Sequence, residues 1–228
     1  MKKIGFILLA SLLSLKGFAN EPGTDNPTHP GLSKKAFQTE DVQKHWFVGA
    51  GAGAQIFFGD HDKQLDFGDR ITPHFEIYGG KWLNDSFGVR LGLNGFSYKG
   101  ATQTGVYGTG ETADASQWLD FQKWNFLNVH ADFMFNWTND ALGYDPNRLY
   151  NLIPYAGIGF GVVLSDPQSV KFSPNLGVLQ SFRLNDKIDL TIDVRGNIYG
   201  DEFDGEAGGR NFEGAISTAV GVKYNINK

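Results

Sequence analysis

The chain has 228 residues, no cysteine and a formal net charge of −5 at pH 7. The negative charge argues against nucleic acid as a partner. Without cysteine the chain has no disulfide framework, no thiol chemistry and no cysteine for lipid attachment. The 30 glycines and the 14% share of aromatic residues are both high for a globular protein.

The N-terminus predicts export. Lys2 and Lys3 precede an apolar stretch, Ile4–Leu15, and the small residues Gly17 and Ala19 follow it. This order predicts a secretory signal peptide over residues 1–19. The apolar stretch is too short for a membrane anchor, since a spanning helix needs about 20 residues. Residues 20–45 contain three prolines and show no periodicity, so they are predicted to form a flexible periplasmic leader.

After residue 45 the sequence alternates between apolar and non-apolar residues. In one segment Leu127 and Val129 alternate with Asn128 and His130. Alternation over about ten residues between turn signals is typical of a transmembrane β-barrel. Eight such strands are predicted: Trp46–Phe58, His74–Leu83, Phe87–Tyr98, Lys123–Trp137, Tyr155–Leu164, Ser173–Leu184, Ile188–Tyr199 and Gly214–Ile226.

The alternative is a soluble β-sandwich or lipocalin. The predicted strands are longer than the five or six residues usual in soluble β proteins. In lipid every backbone N–H and C=O must be paired, so the sheet must close on itself. The predicted fold is therefore an all-β, eight-stranded antiparallel up-and-down transmembrane β-barrel over residues 46–228. An even strand number would return both termini to the periplasm.

Most predicted connections are either short periplasmic turns or long outer loops. Two connections depart from this pattern: the third outer loop is short, and the middle periplasmic connection is long. The short turns are 84–86 and 185–187, the outer loops 59–72, 99–122, 165–171 and 200–213, and the long periplasmic connection 138–153.

Charged residues occur at inward-facing strand positions. An eight-stranded barrel is just wide enough inside for side chains to fill it. Opposite charges there are expected to pair as a structural plug, and a gated ion path is the functional alternative. The predicted network is Glu76, Arg90, His130, Asp132, Asp189, Asp193, Arg195 and Lys223.

Two outer loops are rich in carboxylates. Their acidic residues are Asp60, Asp62, Asp66, Asp69, Asp201, Glu202, Asp204 and Glu206. Loop residues 59–70 fail the calcium-loop pattern, since Gln64 and Leu65 replace a ligand and the glycine. The sequence predicts a solvated acidic rim and no metal site.

Aromatic residues near strand ends predict girdles at the membrane interfaces. Trp46, Trp82 and Trp137 fall on one side, Trp124 on the other, and Tyr224 lies near the end of the last strand.

No enzyme is predicted. A hydrolytic site needs a nucleophile within reach of a base. The candidate base His74 lies near the predicted outer rim, together with Glu76. The nearest serine, Ser97, is predicted by alternation to face lipid.

Four segments resemble the N-terminal barrel of OmpA-family outer-membrane proteins of Bacteroides-type bacteria. They are GDHDKQLDFGDR at 59–70, KGATQTG at 99–105, IPYAGIG at 153–159 and FDGEAGGR at 203–210. The resemblance covers roughly Trp46 to Tyr224. It implies an eight-stranded barrel with a role in envelope integrity and no catalytic residues. Such proteins generally carry a C-terminal peptidoglycan-binding domain. This sequence stops at Lys228, so it is either a barrel-only relative or a chain that is cut short.

The sequence therefore predicts a non-catalytic outer-membrane barrel that supports the envelope and displays loops for adhesion or ligand contact. A small ion-conducting pore or an accessory subunit of a larger complex is the alternative. The expected partners are outer-membrane lipid, lipopolysaccharide, host surface ligands or other outer-membrane proteins. Barrel assembly machinery is also expected, because Gly221, Tyr224 and Ile226 resemble its C-terminal signal. No cofactor is expected.

Overall fold

The computed structural model describes residues 45–207 and 211–226. The predicted signal peptide and all but the last residue of the predicted leader lie outside the described residues. The strands are β1 Trp46–Phe58, β2 Thr72–Trp82, β3 Phe87–Thr102, β4 Gly108–Asp114, β5 Leu119–Phe135, β6 Tyr150–Val163, β7 Ser169–Phe172, β8 Asn175–Arg183, β9 Ile188–Gly200 and β10 Phe212–Asn225. The helix α1 is Trp137–Leu142, and two 3₁₀ turns cover Asp62–Gln64 and Phe67–Arg70.

Eight of these strands form a closed ring. The order of pairing is β5–β3–β2–β1–β10–β9–β8–β6, and a β5–β6 pairing closes the ring. Every pairing is antiparallel, and β1 pairs with β10 from Phe47↔Asn225 to Phe58↔Gly214. Closure pairs the strand edges that would otherwise leave backbone groups unsatisfied in lipid. The predicted eight-stranded barrel is confirmed.

The long connections gather at one end of the barrel, here named the loop end. The opposite end, the turn end, holds His45 and the short turns. Loop 1 spans 59–71, loop 2 spans 103–118, loop 3 spans 164–174 and loop 4 spans 201–211.

Three of the connections that the sequence predicts as loops contain a strand or a helix. β3 continues to Thr102, and loop 2 folds back as β4 against the start of β5. β7 pairs with the end of β6. The long connection at the turn end begins with α1, which Asn136 caps by accepting a hydrogen bond from the Asn139 backbone N–H. These short elements are largely exposed, so they carry little of the apolar alternation used to predict strands.

The outer wall is apolar. Leu91, Val129, Ile158 and Val220 are about half exposed on the strands that carry them. Side chains at alternate positions point into the barrel and are buried. Exposed apolar side chains over a whole barrel wall are the arrangement that lipid contact requires. No helix in residues 45–207 and 211–226 is long and apolar enough to cross a membrane.

Inward-facing glycines make room for large side chains. A Cβ atom on Gly49 would lie 2.4 Å from the Tyr78 ring, and one on Gly177 would lie 2.3 Å from the Tyr155 hydroxyl. Close packing leaves no space for both groups in so narrow a lumen. The high glycine content thus accompanies the aromatic and charged groups that fill the barrel.

One glycine breaks the alternation of β3. Gly95 has φ +148°, a conformation that side-chain-bearing residues rarely adopt. After it, Phe96 turns outward and Ser97 is buried. The prediction that Ser97 faces lipid is therefore wrong, because strict alternation does not survive this local change of backbone direction.

Candidate functional site

An ion network crosses the middle of the lumen. Arg90 on β3 donates from Nε to Asp132 Oδ2 at 2.8 Å and from Nη1 to Asp193 Oδ2 at 2.8 Å. Arg195 on β9 reaches the same Asp132 oxygen at 3.2 Å from Nη2. His130 Nδ1 lies 3.1 Å from Asp132 Oδ1. Two guanidinium groups thus face two carboxylates, which compensates the charges in a space closed to solvent.

Tyrosines enclose this network from the turn end. The Tyr155 hydroxyl donates to Asp193 Oδ1 at 2.5 Å. The Arg90 guanidinium carbon lies 4.4 Å from the centre of the Tyr155 ring and 5.0 Å from that of Tyr78. Such cation–π contacts are stronger where water is excluded. The guanidiniums are therefore held by both charge and ring faces.

A second ion pair lies nearer the turn end. Lys223 Nζ is 2.8 Å from Asp189 Oδ2, and it also donates to Ser181 Oγ at 3.1 Å. The predicted charge network is therefore divided. Five members form the central network, Lys223 and Asp189 pair separately, and Glu76 is buried near the central network, where its charge interacts with those of Asp193, Arg90 and Arg195. All eight predicted residues are buried: Glu76, Arg90, His130, Asp132, Asp189, Asp193, Arg195 and Lys223.

Two aromatic layers enclose the ions. The layer at the loop end stacks Tyr98 on Phe126 at 4.0 Å between ring centres and Tyr199 on Phe203 at 4.0 Å. Phe203 belongs to loop 4, so this loop dips into the barrel. Sequence reasoning missed it, although it is the large apolar residue in a loop stretch that is otherwise acidic or glycine. The layer at the turn end comprises Phe47, Tyr78, Met134, Ile153, Tyr155 and Leu179.

The predicted aromatic girdle needs two corrections. Trp124 is 0% exposed and packs in the loop-end layer, because it shares the inward alternation of β5 with Phe126. Trp82 is half-buried and packs on Phe47 at 6.0 Å. Trp46, Trp137 and Tyr224 are exposed, and Lys81 lies 5.3 Å over the Trp46 ring.

The acidic loops do not form the uniformly solvated rim that the sequence predicts. Asp62, Asp204 and Glu206 are buried, because backbone N–H and hydroxyl groups of the loops surround their carboxylates. Asp62 accepts from the backbone N–H of Gly59 at 2.7 Å and from that of Ala101 at 3.1 Å. The other members, Asp60, Asp66, Asp69, Asp201 and Glu202, are half-buried or exposed.

Glu206 ties loop 4 to loop 2. Its Oε1 accepts from the Thr102 hydroxyl at 2.5 Å, from the backbone N–H groups of Gln103 and Thr104 at 2.8 and 2.9 Å, and from the Thr104 hydroxyl at 3.0 Å. His61 Nε2 of loop 1 lies 3.4 Å from the other oxygen. Hydrogen bonds to a charged group are stronger than neutral ones. Glu206 therefore joins three loops.

The pKa values of Asp62 and Glu206 are shifted in opposite directions. Burial raises the pKa of Asp62 to about 6 in spite of its two backbone donors. Burial also raises the pKa of Glu206, but the hydrogen bonds from Thr102, Thr104 and Gln103 together hold it below its usual range. Glu206 is thus ionised at neutral pH, so its four short contacts are charge-assisted. In the described parts of the chain no group of His, Cys, Asp and Glu side chains is arranged to hold a metal ion.

A closed ring of eight long strands with an apolar outside and a charged, aromatic inside defines an outer-membrane β-barrel. No family model matches the chain. It is 32% identical over 214 residues to outer membrane protein 40 of Porphyromonas gingivalis strain ATCC BAA-308 / W83, covering 85% of this chain and 50% of that protein. It is 28% identical over 194 residues to outer membrane protein 41 of the same strain, covering 83% and 46%.

The chain spans about half the length of these relatives. Among solved structures it resembles Neisserial surface protein A, with a TM-score of 0.51 and 13% identity over 80% of this chain and 97% of that one. This likeness concerns the fold. The fold and the named relatives together place the chain among outer-membrane β-barrel proteins, and its location is the outer membrane.

Replacing Arg90 by methionine keeps much of the volume but leaves Asp132 and Asp193 with Arg195 as their one guanidinium partner, at 3.2 and 4.0 Å. We expect a loss of about 3–5 kcal/mol in the free energy of unfolding, as when one partner of a buried ion pair is removed. Urea unfolding in lipid vesicles, followed by tryptophan fluorescence, measures it.

The matched control is Lys171→Met, which removes the surface pair to Glu202 and should cost less than about 1 kcal/mol. Equal effects of the two substitutions would contradict a structural role for the central network.

Replacing Glu206 by alanine should release loop 2 from loop 4. We expect the hydrogen-exchange rates of the Gln103 and Thr104 amides to rise by about ten- to a hundredfold. The reason is that a hydrogen bond to a charged group contributes about 1.5–3 kcal/mol to stability. Glu202→Ala in the same loop should leave both rates unchanged. Unaltered exchange in the Glu206 variant would show that other contacts hold the loops.

Proposed function

We propose that this protein is a non-catalytic barrel that supports the outer membrane and displays ordered loops for adhesion or ligand contact. The observation that carries the proposal is the lumen itself. Arg90, Asp132, Asp193 and Arg195 occupy its middle with almost no solvent exposure, between two aromatic layers. Because side chains fill the middle of the lumen, a structural role fits this barrel better than a transport role. This observation weighs against the pore alternative.

The loop end supports the display part of the proposal. β4 extends loop 2 beyond the ring, and Trp118 near its tip is 85% exposed with φ +57°. Tryptophan is among the residue types enriched at protein interfaces, so this side chain is suited to contact with a partner. The anchoring of loops 1, 2 and 4 through Glu206 keeps this surface ordered.

The proposal also covers the family of the chain, its lack of a catalytic site, its orientation in the membrane and its route of export. The chain belongs with OmpA-like barrels of Bacteroides-type bacteria and carries no catalytic site. Its loop end faces the cell exterior, and both strand termini face the periplasm. A signal peptide over residues 1–19 directs export, and barrel assembly machinery inserts the chain. Lipopolysaccharide surrounds the loop end, which is free to contact host ligands or neighbouring membrane proteins.

Cysteine labelling on intact cells tests the orientation, because the chain has no cysteine of its own. Ser116→Cys at the exposed tip of loop 2 should react with a membrane-impermeant maleimide. Asp186→Cys, in an exposed turn at the turn end, should react only after the cells are broken.

Labelling of Asp186→Cys but not Ser116→Cys on intact cells would reverse the topology and remove the basis for surface display. Heat-modifiable gel mobility of both variants confirms that the barrels are folded before labelling is compared.

A further inference from the structure

Two lysines stand side by side on the outer wall at the loop end. Lys99 on β3 is directly opposite Lys123 on β5, and both are exposed. Residues opposite each other on antiparallel strands have Cβ atoms about 4.5–5.5 Å apart, and like charges there destabilise the sheet. Within the described chain, the lysines that form ion pairs are Lys171 and Lys223. The two adjacent ammonium groups therefore have no ion-pair partner among the described residues.

An apolar groove lies on the same wall, between these lysines and the middle of the barrel. Apolar residues that include Phe75, Phe96, Leu127 and Leu164 line most of it, and Lys123 and Asn125 line its polar end. The buried residues Glu76 and Asn94 also border it. Lys123, Asn125 and Leu127 alternate outward along β5. The distance from Lys123 to Leu127 is about 13 Å at the usual rise per strand residue.

Gly95 forms the groove. A Cβ at this position would lie 2.6 Å from the Phe126 carbonyl oxygen, so the outer wall has no side chain there. The turn of the backbone at Gly95 directs Phe96 outward, where it packs edge-on against Phe75 with ring centres 5.5 Å apart. The wall therefore has a notch with an aromatic side, in place of a smooth row of alternating side chains.

We propose that this groove and the two lysines form a binding site for one phosphorylated, acylated lipid, the lipid A part of lipopolysaccharide. An acyl chain would lie along Leu127, Leu164 and the aromatic pair, continuous with the lipid contact of the rest of the wall. The phosphate would lie between Lys99 and Lys123, with the Asn125 amide available to a sugar hydroxyl. This assignment rests on the proposed orientation, in which the loop end faces the lipopolysaccharide leaflet.

The charges favour a phosphate monoester. A phosphate monoester carries about −1.5 to −2 at pH 7, which matches two ammonium groups, whereas the phosphodiester of a phospholipid carries a single negative charge. Each lysine near an anionic membrane surface contributes about 1 kcal/mol of attraction, or about fivefold in affinity.

Native mass spectrometry of the folded barrel tests the site. The detergent-solubilised protein is titrated with phosphorylated lipid A, with enzymatically dephosphorylated lipid A and with phosphatidylglycerol. The wild-type protein should retain one phosphorylated lipid A in preference to the other two. The double variant Lys99→Gln/Lys123→Gln should bind it about thirtyfold more weakly.

Lys81→Gln is the matched control, because Lys81 is also an outward lysine but lies at the turn end over Trp46. It should leave the affinity unchanged. Phe96→Ala removes the aromatic side of the notch and should weaken the binding of phosphorylated lipid A while the lysines remain. Heat-modifiable mobility reports whether each variant is folded.

Three results would overturn the site: equal retention by the double variant, equal binding of dephosphorylated lipid A, or equal binding of phosphatidylglycerol. Cysteine labelling separates this inference from the proposed function. Loops labelled outside with no lipid A preference would contradict the site alone, whereas loops labelled only in broken cells would contradict the orientation on which both depend.

Discussion

The need to pair every backbone hydrogen-bonding group in lipid governs this structure. A sheet in a membrane has to close, and closure of eight strands leaves room inside only for side chains. Arg90 and Arg195 lie in that interior and cannot reach water, so Asp132 and Asp193 have to lie beside them. Small residues such as Gly177 then become necessary, because they leave space for Tyr155.

The same constraint explains how far sequence reasoning reaches. Alternation with period two predicts the eight ring strands, and it assigns charged residues such as Arg90 and Asp193 to the inner face. Alternation concerns one strand at a time, however. It does not determine which carboxylate pairs with which guanidinium, since that choice depends on register and on contacts across the lumen. The separate Lys223–Asp189 pair is a consequence of such contacts.

Three other features escaped prediction for different physical reasons. The position of Trp124 near a strand end predicts a girdle residue, although its inward alternation with Phe126 places it in the lumen. The burial of Asp62, Asp204 and Glu206 depends on loop backbones that curl around the carboxylates, and loop sequence carries no period. Gly95 reverses the alternation locally, which turns Phe96 to the lipid and creates the groove beside Lys123. The last two exceptions lie at the loop end and on the outer wall, where we place the contacts of the protein with its surroundings.

The central claim is that the lumen is a packed structural core. Conductance across a planar lipid bilayer tests it most directly, with the purified folded barrel and a larger known porin as a positive control. The packed lumen predicts a silent bilayer at moderate voltage. Stable single-channel steps in the wild-type protein that disappear in Arg90→Ala or Asp193→Ala would contradict it, because they would show that ions pass through the network.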